Sequence, residues 1–309
     1  MLRPDDSTLP LEDLRAVEQR ASDMLHRAGA WNVFPTPVDD ILAAANLRVA
    51  PKSAFDLRAM MDYVRQKSAA AVGFLKSALS KVFGVYDANE QVIHIDDDVV
   101  VARQTFLKLH ETGHHTLPHH RKVFTFFEEC EKTLAPEIAD HFEREANNFA
   151  RFVLFQGDGF KGLAADMHMS IRSPLALAKK FGASVYASAR EFARTHHGTC
   201  AVFVLERVEL LPGGGFRAPI RRIEVSAAFQ QRFGAPVDTL IDHHHPLANI
   251  VPLGRRMKGP LAMQYVDRNG VRHECLADAF DTGHNVLILV HPIQALTQTT
   301  ILLPGVGLT

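Results

Sequence analysis

Cysteine is scarce in this chain, and so is net charge. Only three cysteines occur in 309 residues, Cys130, Cys200 and Cys275. Their wide separation excludes a CxxC metal or redox motif, so we expect structural thiols in a reducing compartment. The formal net charge of −1 gives no overall electrostatic attraction to nucleic acid or to an anionic membrane.

Signals for secretion and for membrane insertion are also missing. The first residues, "MLRPDDSTLPLEDLRAVEQ", lack the basic start, the apolar core and the cleavage site of a secretory signal. No later apolar run approaches the length of a membrane span. We therefore expect a cytoplasmic protein without a membrane partner. The hydrophobic content of 47% is sufficient for more than one core in a chain of this length.

The pattern of apolar residues divides the chain into a helical part and a strand-rich part. Helical spacing is clear over residues 11–30, 99–117 and 136–155, and "KVFGVYDANEQVIHIDDD" predicts a β-hairpin before the second of these helices. After about Gly198, strand-like runs are broken by glycine, proline and asparagine. The sequence therefore predicts an α+β protein, mainly helical with a small hairpin or sheet, and then β-rich.

The stretch "HETGH" within the second predicted helix has the spacing of a metal site. Residues four apart project from the same face of a helix, so His110 and His114 can offer two imidazoles to one tetrahedral ion. Glu111 lies beside them, as in the HExxH arrangement in which a glutamate activates water next to the ion. Gly113, on the packed side of the helix, allows another backbone to approach closely.

Two glutamates of "FEREANNFA" are candidates for the third ligand. Glu143 and Glu145 point about 200° apart on one helix, so both cannot face the same ion. The spacing favours Glu143, because Asn147 then lies one turn further on and can reach a ligand histidine through its side-chain amide. For Glu145 we expect a solvent-exposed position.

Three motifs in the same order resemble the ImmA/IrrE-type metallopeptidases, over about Leu11 to His197. They are "GVYDANEQVIHI", "RQTFLKLHETGHHTL" and "EREANNFARFVL". The resemblance implies a zincin fold with zinc on His110, His114 and Glu143 and with Glu111 as the general base. Manganese, cobalt or iron would also suit this ligand set.

With this resemblance the chain divides into three predicted domains. Residues 1–168 form the zincin-like metallopeptidase domain, residues 169–197 a helix-turn-helix-like segment, and residues 198–309 a β-rich domain with a possible sensory or regulatory role. In the middle segment, "LAKKFGAS" supplies a helix, a glycine turn and a serine cap. Its basic residues allow DNA binding, but the neutral charge of the chain favours packing against the core. These residues are Lys179, Lys180, Arg190 and Arg194.

The remaining histidines near the motif are predicted to lie at the surface. His115, His119 and His120 follow the HExxH pair, and Pro118 is expected to end the helix. No carboxylate falls at ligand spacing beside them in the sequence, so we interpret them as solvated rather than as a further metal site.

Together these patterns predict a gluzincin-like metalloendopeptidase. The resemblance implies a protein substrate, typically a helix-turn-helix transcriptional repressor cut after stress or phage-related signals. The alternative is a regulatory module that contacts DNA or a repressor and uses its metal for structure, and a weaker one is hydrolysis of a small amide. Glu111 separates the first two possibilities, because a structural metal site has no need of an acid or base.

Overall fold

The computed structural model describes residues 7–50, 84–87, 91–95, 100–120 and 136–293. Cys130 and the predicted hairpin turn at residues 88–90 lie outside this part of the chain. Within the described residues the fold is α+β, and the predicted class is confirmed.

The first part of the fold is helical and contains one small sheet. Its elements are α1 (Leu11–Arg27), α2 (Val38–Ala44), β1 (Arg48–Val49), β2 (Gly84–Asp87), β3 (Val92–Ile95), α3 (Val101–Thr116), α4 (Pro136–Phe155), α5 (Asp158–Ala165), α6 (Arg172–Phe181) and α7 (Val185–Thr195). Strands β2 and β3 pair in antiparallel fashion, as the hairpin pattern predicted, and β1 adds to β3 in parallel. None of the helices described combines the length and apolarity needed to cross a membrane.

The second part is built on an antiparallel sheet. Its elements are β4 (Ala201–Leu205), β5 (Glu209–Leu210), β6 (Phe216–Val225), α8 (Ala227–Phe233), β7 (Leu240–Asp242), a 3-10 turn (Ala248–Ile250), β8 (Met257–Val266), β9 (Arg272–Asp281) and β10 (Val286–Pro292). The strand order is β5-β6-β4-β10-β9-β8, and β7 pairs with β6. The predicted β-rich C-terminal part is confirmed.

Both faces of the central strands of this sheet are covered. Along β4, Val202 and Val204 belong to the core that includes the helices, whereas Phe203 faces a second core with α8. A strand buried on both faces needs apolar residues at successive positions, which explains the unbroken runs "AVFVL" and "VLILV". The helical part and the sheet therefore share a core across the predicted boundary at residue 197, and the three-domain division stays a prediction.

The helix-turn-helix-like segment has the predicted local structure. Gly182 ends α6 with a φ of 71°, and the Ser184 hydroxyl caps α7 by accepting a hydrogen bond from the Ala187 N–H at 3.1 Å. Every residue of α7 is buried or half-buried. Its Arg190 and Arg194 both donate to one carboxylate oxygen of Glu224 in β6, at 2.7 and 3.1 Å. Because α7 packs against the sheet, the geometry favours the packing interpretation of this segment over DNA binding.

The two described cysteines have the properties of structural thiols. Cys200 and Cys275 are fully buried and unpaired with each other. Burial raises the pKa of Cys200 to about 12 and that of Cys275 to about 11, so neither is a ready nucleophile.

Candidate metal centre

Close packing of α3 on α4 places the candidate ligands. A β-carbon on Gly113 would lie 3.2 Å from the α-carbon of Ala146 and 3.2 Å from the β-carbon of Phe149. Glycine thus lets the two helix backbones approach at this point, as the sequence predicted. The approach brings the side chain of Glu143, on α4, to the two histidines of the HExxH pair on α3.

Three side chains converge at this contact. The Nε2 atoms of His110 and His114 are 3.2 Å apart. The two oxygens of Glu143 lie 3.4 Å from the Nε2 of His110 and 3.5 Å from the Nε2 of His114. Two donors bonded to zinc at about 2.0–2.1 Å in tetrahedral geometry are separated by about 3.4 Å. The separation of the two imidazole nitrogens is close to this value, and each imidazole lies at a similar distance from a different oxygen of Glu143. These three residues can therefore hold a divalent metal ion.

The electrostatics of this group also favour a cation. Burial works to raise the pKa of Glu143, but hydrogen bonds and charge from His110 and His114 outweigh it and hold that pKa well below its usual range. Burial works to lower the pKa of His110, but the hydrogen bond and charge of Glu143 outweigh it and raise that pKa to about 9. Without a metal, His110 therefore keeps a proton at neutral pH, and a divalent cation can replace this proton.

Glu111 is buried beside the three candidate ligands. Glu111 is 6% exposed, and burial raises the pKa of its carboxyl group above the usual range. The charges of His110 and His114 oppose this shift, and that of Glu143 adds to it, so all three lie close enough to influence the carboxylate. A carboxylate with a raised pKa beside a metal site is suited to accept and return a proton.

Asn147 lies behind one of the candidate ligands. Its Oδ1 is 3.1 Å from the Nδ1 of His110, so the imidazole N–H can donate to the amide oxygen. Because Nδ1 is used in this contact, Nε2 is the ring nitrogen of His110 that faces His114 and Glu143. The structure thus brings together all five residues selected from the sequence, whereas their roles in metal binding and catalysis stay predictions.

Two expectations about the residues around the motif were wrong. Glu145 is 4% exposed rather than at the surface, and His115 and His120 are buried, at 8% and 0% exposure. The helix does end next to Pro118, as predicted, since α3 ends at Thr116. Leu117 is nevertheless buried in the core, and the next three residues are again helical. Of the three histidines after the pair, only His119 is substantially exposed, as predicted.

Glu145 meets this other group of histidines. One of its oxygens, Oε2, accepts hydrogen bonds from the Nε2 atoms of His119 and His120, each at 2.8 Å. Glu143 and Glu145 point to different sides of α4. Glu143 therefore contacts His110 and His114, whereas Glu145 contacts His119 and His120. These atoms also lie close enough together to hold a metal.

The spacing of His120 in the sequence indicates a place close to the HExxH pair, which the HExxH motif alone does not show. His120 follows His114 by six residues, the spacing of the third histidine in the longer HExxHxxGxxH metal motif, although Leu117 replaces the glycine. In this fold, however, the Nε2 of His120 contacts Glu145, and its Nδ1 contacts the Nδ1 of His114 at 3.0 Å. It therefore lies behind His114 rather than among the converging ligand atoms.

The fold and the site define a class of protein, an α+β protein with a helix-borne HExxH site. Residues 66–192 match the peptidase M78 family model, described as the IrrE N-terminal-like domain, and this match contains the whole site. This match confirms the resemblance of this part of the chain to the ImmA/IrrE proteins.

Comparison with solved structures finds a Mycobacterium tuberculosis transcriptional regulator. The two proteins align with 11% sequence identity and a TM-score of 0.47. The alignment covers 90% of the present chain and 76% of the regulator's chain. No curated protein matches the chain.

Proposed function

We propose that this protein is a zinc-dependent endopeptidase that acts in the cytoplasm on a partner protein. The observation that carries the proposal is the group formed by His110, His114 and Glu143, whose donor atoms are 3.2–3.5 Å apart. Glu111 lies on the same helical turn as the two histidines and is buried with them. The match of residues 66–192 to a peptidase family model supports the same chemistry.

Glu111 is the group that moves the proton in the proposed reaction. It takes a proton from the water that attacks the peptide carbonyl and passes it to the leaving amine. A bound zinc ion supplies the complementary chemistry, since it lowers the pKa of water and polarises the carbonyl. His110, His114 and Glu143 would hold the ion, and Asn147 would orient His110.

The substrate class follows from the family. A peptidase family implies a protein substrate. We propose a helix-turn-helix transcriptional repressor, cut in a stress-related or phage-related response, because the sequence motifs resemble the ImmA/IrrE proteins. Helix α7 is packed on the sheet, so direct DNA contact by this segment forms no part of the proposal.

The test is a comparison of new protein N-termini in host cells that express the wild type or Glu111→Gln. The glutamine has nearly the same shape and leaves the proposed ligands intact, but it cannot accept the proton. Glu137→Gln is the matched control, because Glu137 is an exposed glutamate at the start of α4. Cells are sampled with and without DNA-damaging or oxidative stress.

We expect one recurrent new terminus with the wild type and with Glu137→Gln, absent with Glu111→Gln. Its position names the substrate and the cleavage site. If no terminus depends on Glu111 while regulation in the cells survives the substitution, the protein is a non-hydrolytic regulatory module. If only small acyl compounds are turned over by the purified protein, it is a hydrolase of small amides.

A further inference from the structure

A buried hydrogen-bonded chain runs from the back of His114 to a carboxylate. The Nδ1 of His114 is 3.0 Å from the Nδ1 of His120, and the Nε2 of His120 is 2.8 Å from Glu145 Oε2. Both His120 and the Glu145 side chain are almost fully buried, at 0% and 6% exposure. Packing therefore fixes the geometry of this series of hydrogen bonds.

The chemistry of the acceptor determines where the protons lie. An ionised carboxylate only accepts hydrogen bonds, so the Nε2 of His120 must carry a proton that it donates to Glu145. In a neutral imidazole the Nδ1 of His120 is then an acceptor, and the proton between the two rings belongs to the Nδ1 of His114. This leaves a lone pair on the Nε2 of His114, the atom that faces His110 and Glu143.

The orientation of the His120 ring is fixed independently of these hydrogen bonds. The ring stacks on Phe142, with centroids 4.1 Å apart and planes inclined by 20°. Phe142 immediately precedes Glu143 on α4, so the helix that supplies the third ligand also holds the ring behind His114. His110, by contrast, is held from behind by a neutral amide, that of Asn147.

We infer that His120 and Glu145 are positioning residues for a divalent cation: together they fix the tautomer of His114 and direct its Nε2 lone pair to the ion. Glu145 also makes His114 a stronger donor, because negative charge behind a ligand imidazole increases its basicity. The inference rests on the proposed metal site and adds two residues to it, from the side of α4 opposite Glu143.

His119 provides an internal control. It donates to the same oxygen of Glu145 at 2.8 Å, but its side chain is 49% exposed and it makes no described hydrogen bond to His114. Loss of His119 therefore perturbs the carboxylate without breaking the chain to the ligand. Loss of His120 breaks that chain.

The experiment measures zinc affinity by chelator competition for the wild-type protein and for three variants. We expect His120→Leu to weaken zinc binding by roughly 10- to 100-fold. His120→Asn places an amide oxygen near the position of the Nδ1 and should restore most of the affinity. His119→Leu should remain close to the wild type, and circular dichroism of each metal-free variant verifies that it is folded.

A measurement on the unmodified protein does not depend on the folding of any variant. Long-range proton–nitrogen NMR spectra of the zinc-loaded wild type report which ring nitrogen of each histidine is protonated. We expect His120 to carry its proton on Nε2. A proton on Nδ1 instead would overturn the inference.

Two affinity results would also overturn it. If His120→Leu bound zinc as tightly as the wild type, the hydrogen bonds from His114 through His120 to Glu145 would have only a structural role. Two zinc ions per chain, one of them lost in both His119→Leu and His120→Leu, would identify a second metal site here instead. Because affinity is measured without a substrate, a wild type that binds zinc and cleaves nothing refutes only the proposed peptidase, whereas a wild type that binds no metal refutes both.

Discussion

The Nε2 atoms of His110 and His114 lie 3.2 Å apart, which brings two imidazole lone pairs together at one point. The oxygens of Glu143 lie 3.4 and 3.5 Å from these atoms. The negative charge of Glu143 beside these nitrogens favours a cation between them, either a proton or a metal ion. The same contact therefore determines both the electrostatics of the metal-free protein and its affinity for metal.

Zinc affinity should increase with pH until the pKa of His110 is passed. That pKa is raised to about 9, so below it zinc must displace a proton held next to Glu143. The apparent affinity should therefore rise by up to roughly tenfold per pH unit between neutral pH and pH 9 and then level off. Chelator competition across this range measures it, and release of a proton into weakly buffered solution on zinc addition is the control. An affinity independent of pH over this interval would contradict the prediction.

The raised pKa of His110 also affects the stability of the metal-free protein. This stability should fall as the pH rises, whereas the zinc affinity should increase. A histidine whose pKa is raised on folding stabilises the fold fully below its unfolded pKa, near 6.5, and this contribution is lost as the pH rises through about 9. We expect the free energy of unfolding of the metal-free protein to fall over that window. Urea titrations at several pH values measure it, with His110→Gln as the control that should lose this dependence.

Replacing Asn147 should weaken metal binding without a comparable loss of stability. Its Oδ1 is the acceptor 3.1 Å behind the Nδ1 of His110, and removal of such a partner typically costs tenfold or more in affinity. Asn147→Ala should show this loss, and Asn147→Asp, which keeps an acceptor, should not. Asn148→Ala is the matched control, since Asn148 Nδ2 donates to the carbonyls of Ser7 and Arg144. Equal loss of zinc affinity in both alanine variants would show that the contact to His110 is not the cause.

Gly113→Ala should destabilise the protein by about 1–3 kcal/mol, the usual cost of overpacking. The new methyl group would meet the backbone of Ala146 and the β-carbon of Phe149 at 3.2 Å, so the helices would have to separate. Gly162→Ala in α5 is the control: nothing lies within 4 Å of its added β-carbon, and the better helix propensity should stabilise the protein by about 0.5–1 kcal/mol. Denaturant unfolding measures both, and opposite signs are expected.

Glu224→Gln should weaken the attachment of α7 to the sheet. One oxygen of Glu224 accepts from Arg190 at 2.7 Å and from Arg194 at 3.1 Å, and all three side chains are at most 24% exposed. Loss of this shared negative charge beside the two arginines should cost about 2–3 kcal/mol of stability, somewhat less than for a fully buried pair. Glu209→Gln is the control, because Glu209 and Arg217 are half-exposed and such pairs contribute at most about 1 kcal/mol. A similar small loss in both variants would refute the prediction.

Much of the site could be predicted because its parts are local in the chain. The i, i+4 spacing of His110 and His114 and the opposite directions of Glu143 and Glu145 are properties of a helix, readable from the sequence. The same holds for the turn at Gly182 and the cap at Ser184. The environment of Glu145 could not be read in this way, because an isolated helix with a glutamate on its far side looks solvent-exposed until the element that covers that side is known.

The sequence by itself determined the α+β class, the HExxH pair and the preference for Glu143, since each rests on helical or strand periodicity. Only the tertiary structure decided that His120 and Glu145 are buried together behind His114, and that α7 lies against the sheet. The physical reason is that burial of a polar side chain depends on its partners. The Leu117 side chain holds the turn that carries His120 in the core, and the packing of α3 on α4 at Gly113 brings Glu145 to it.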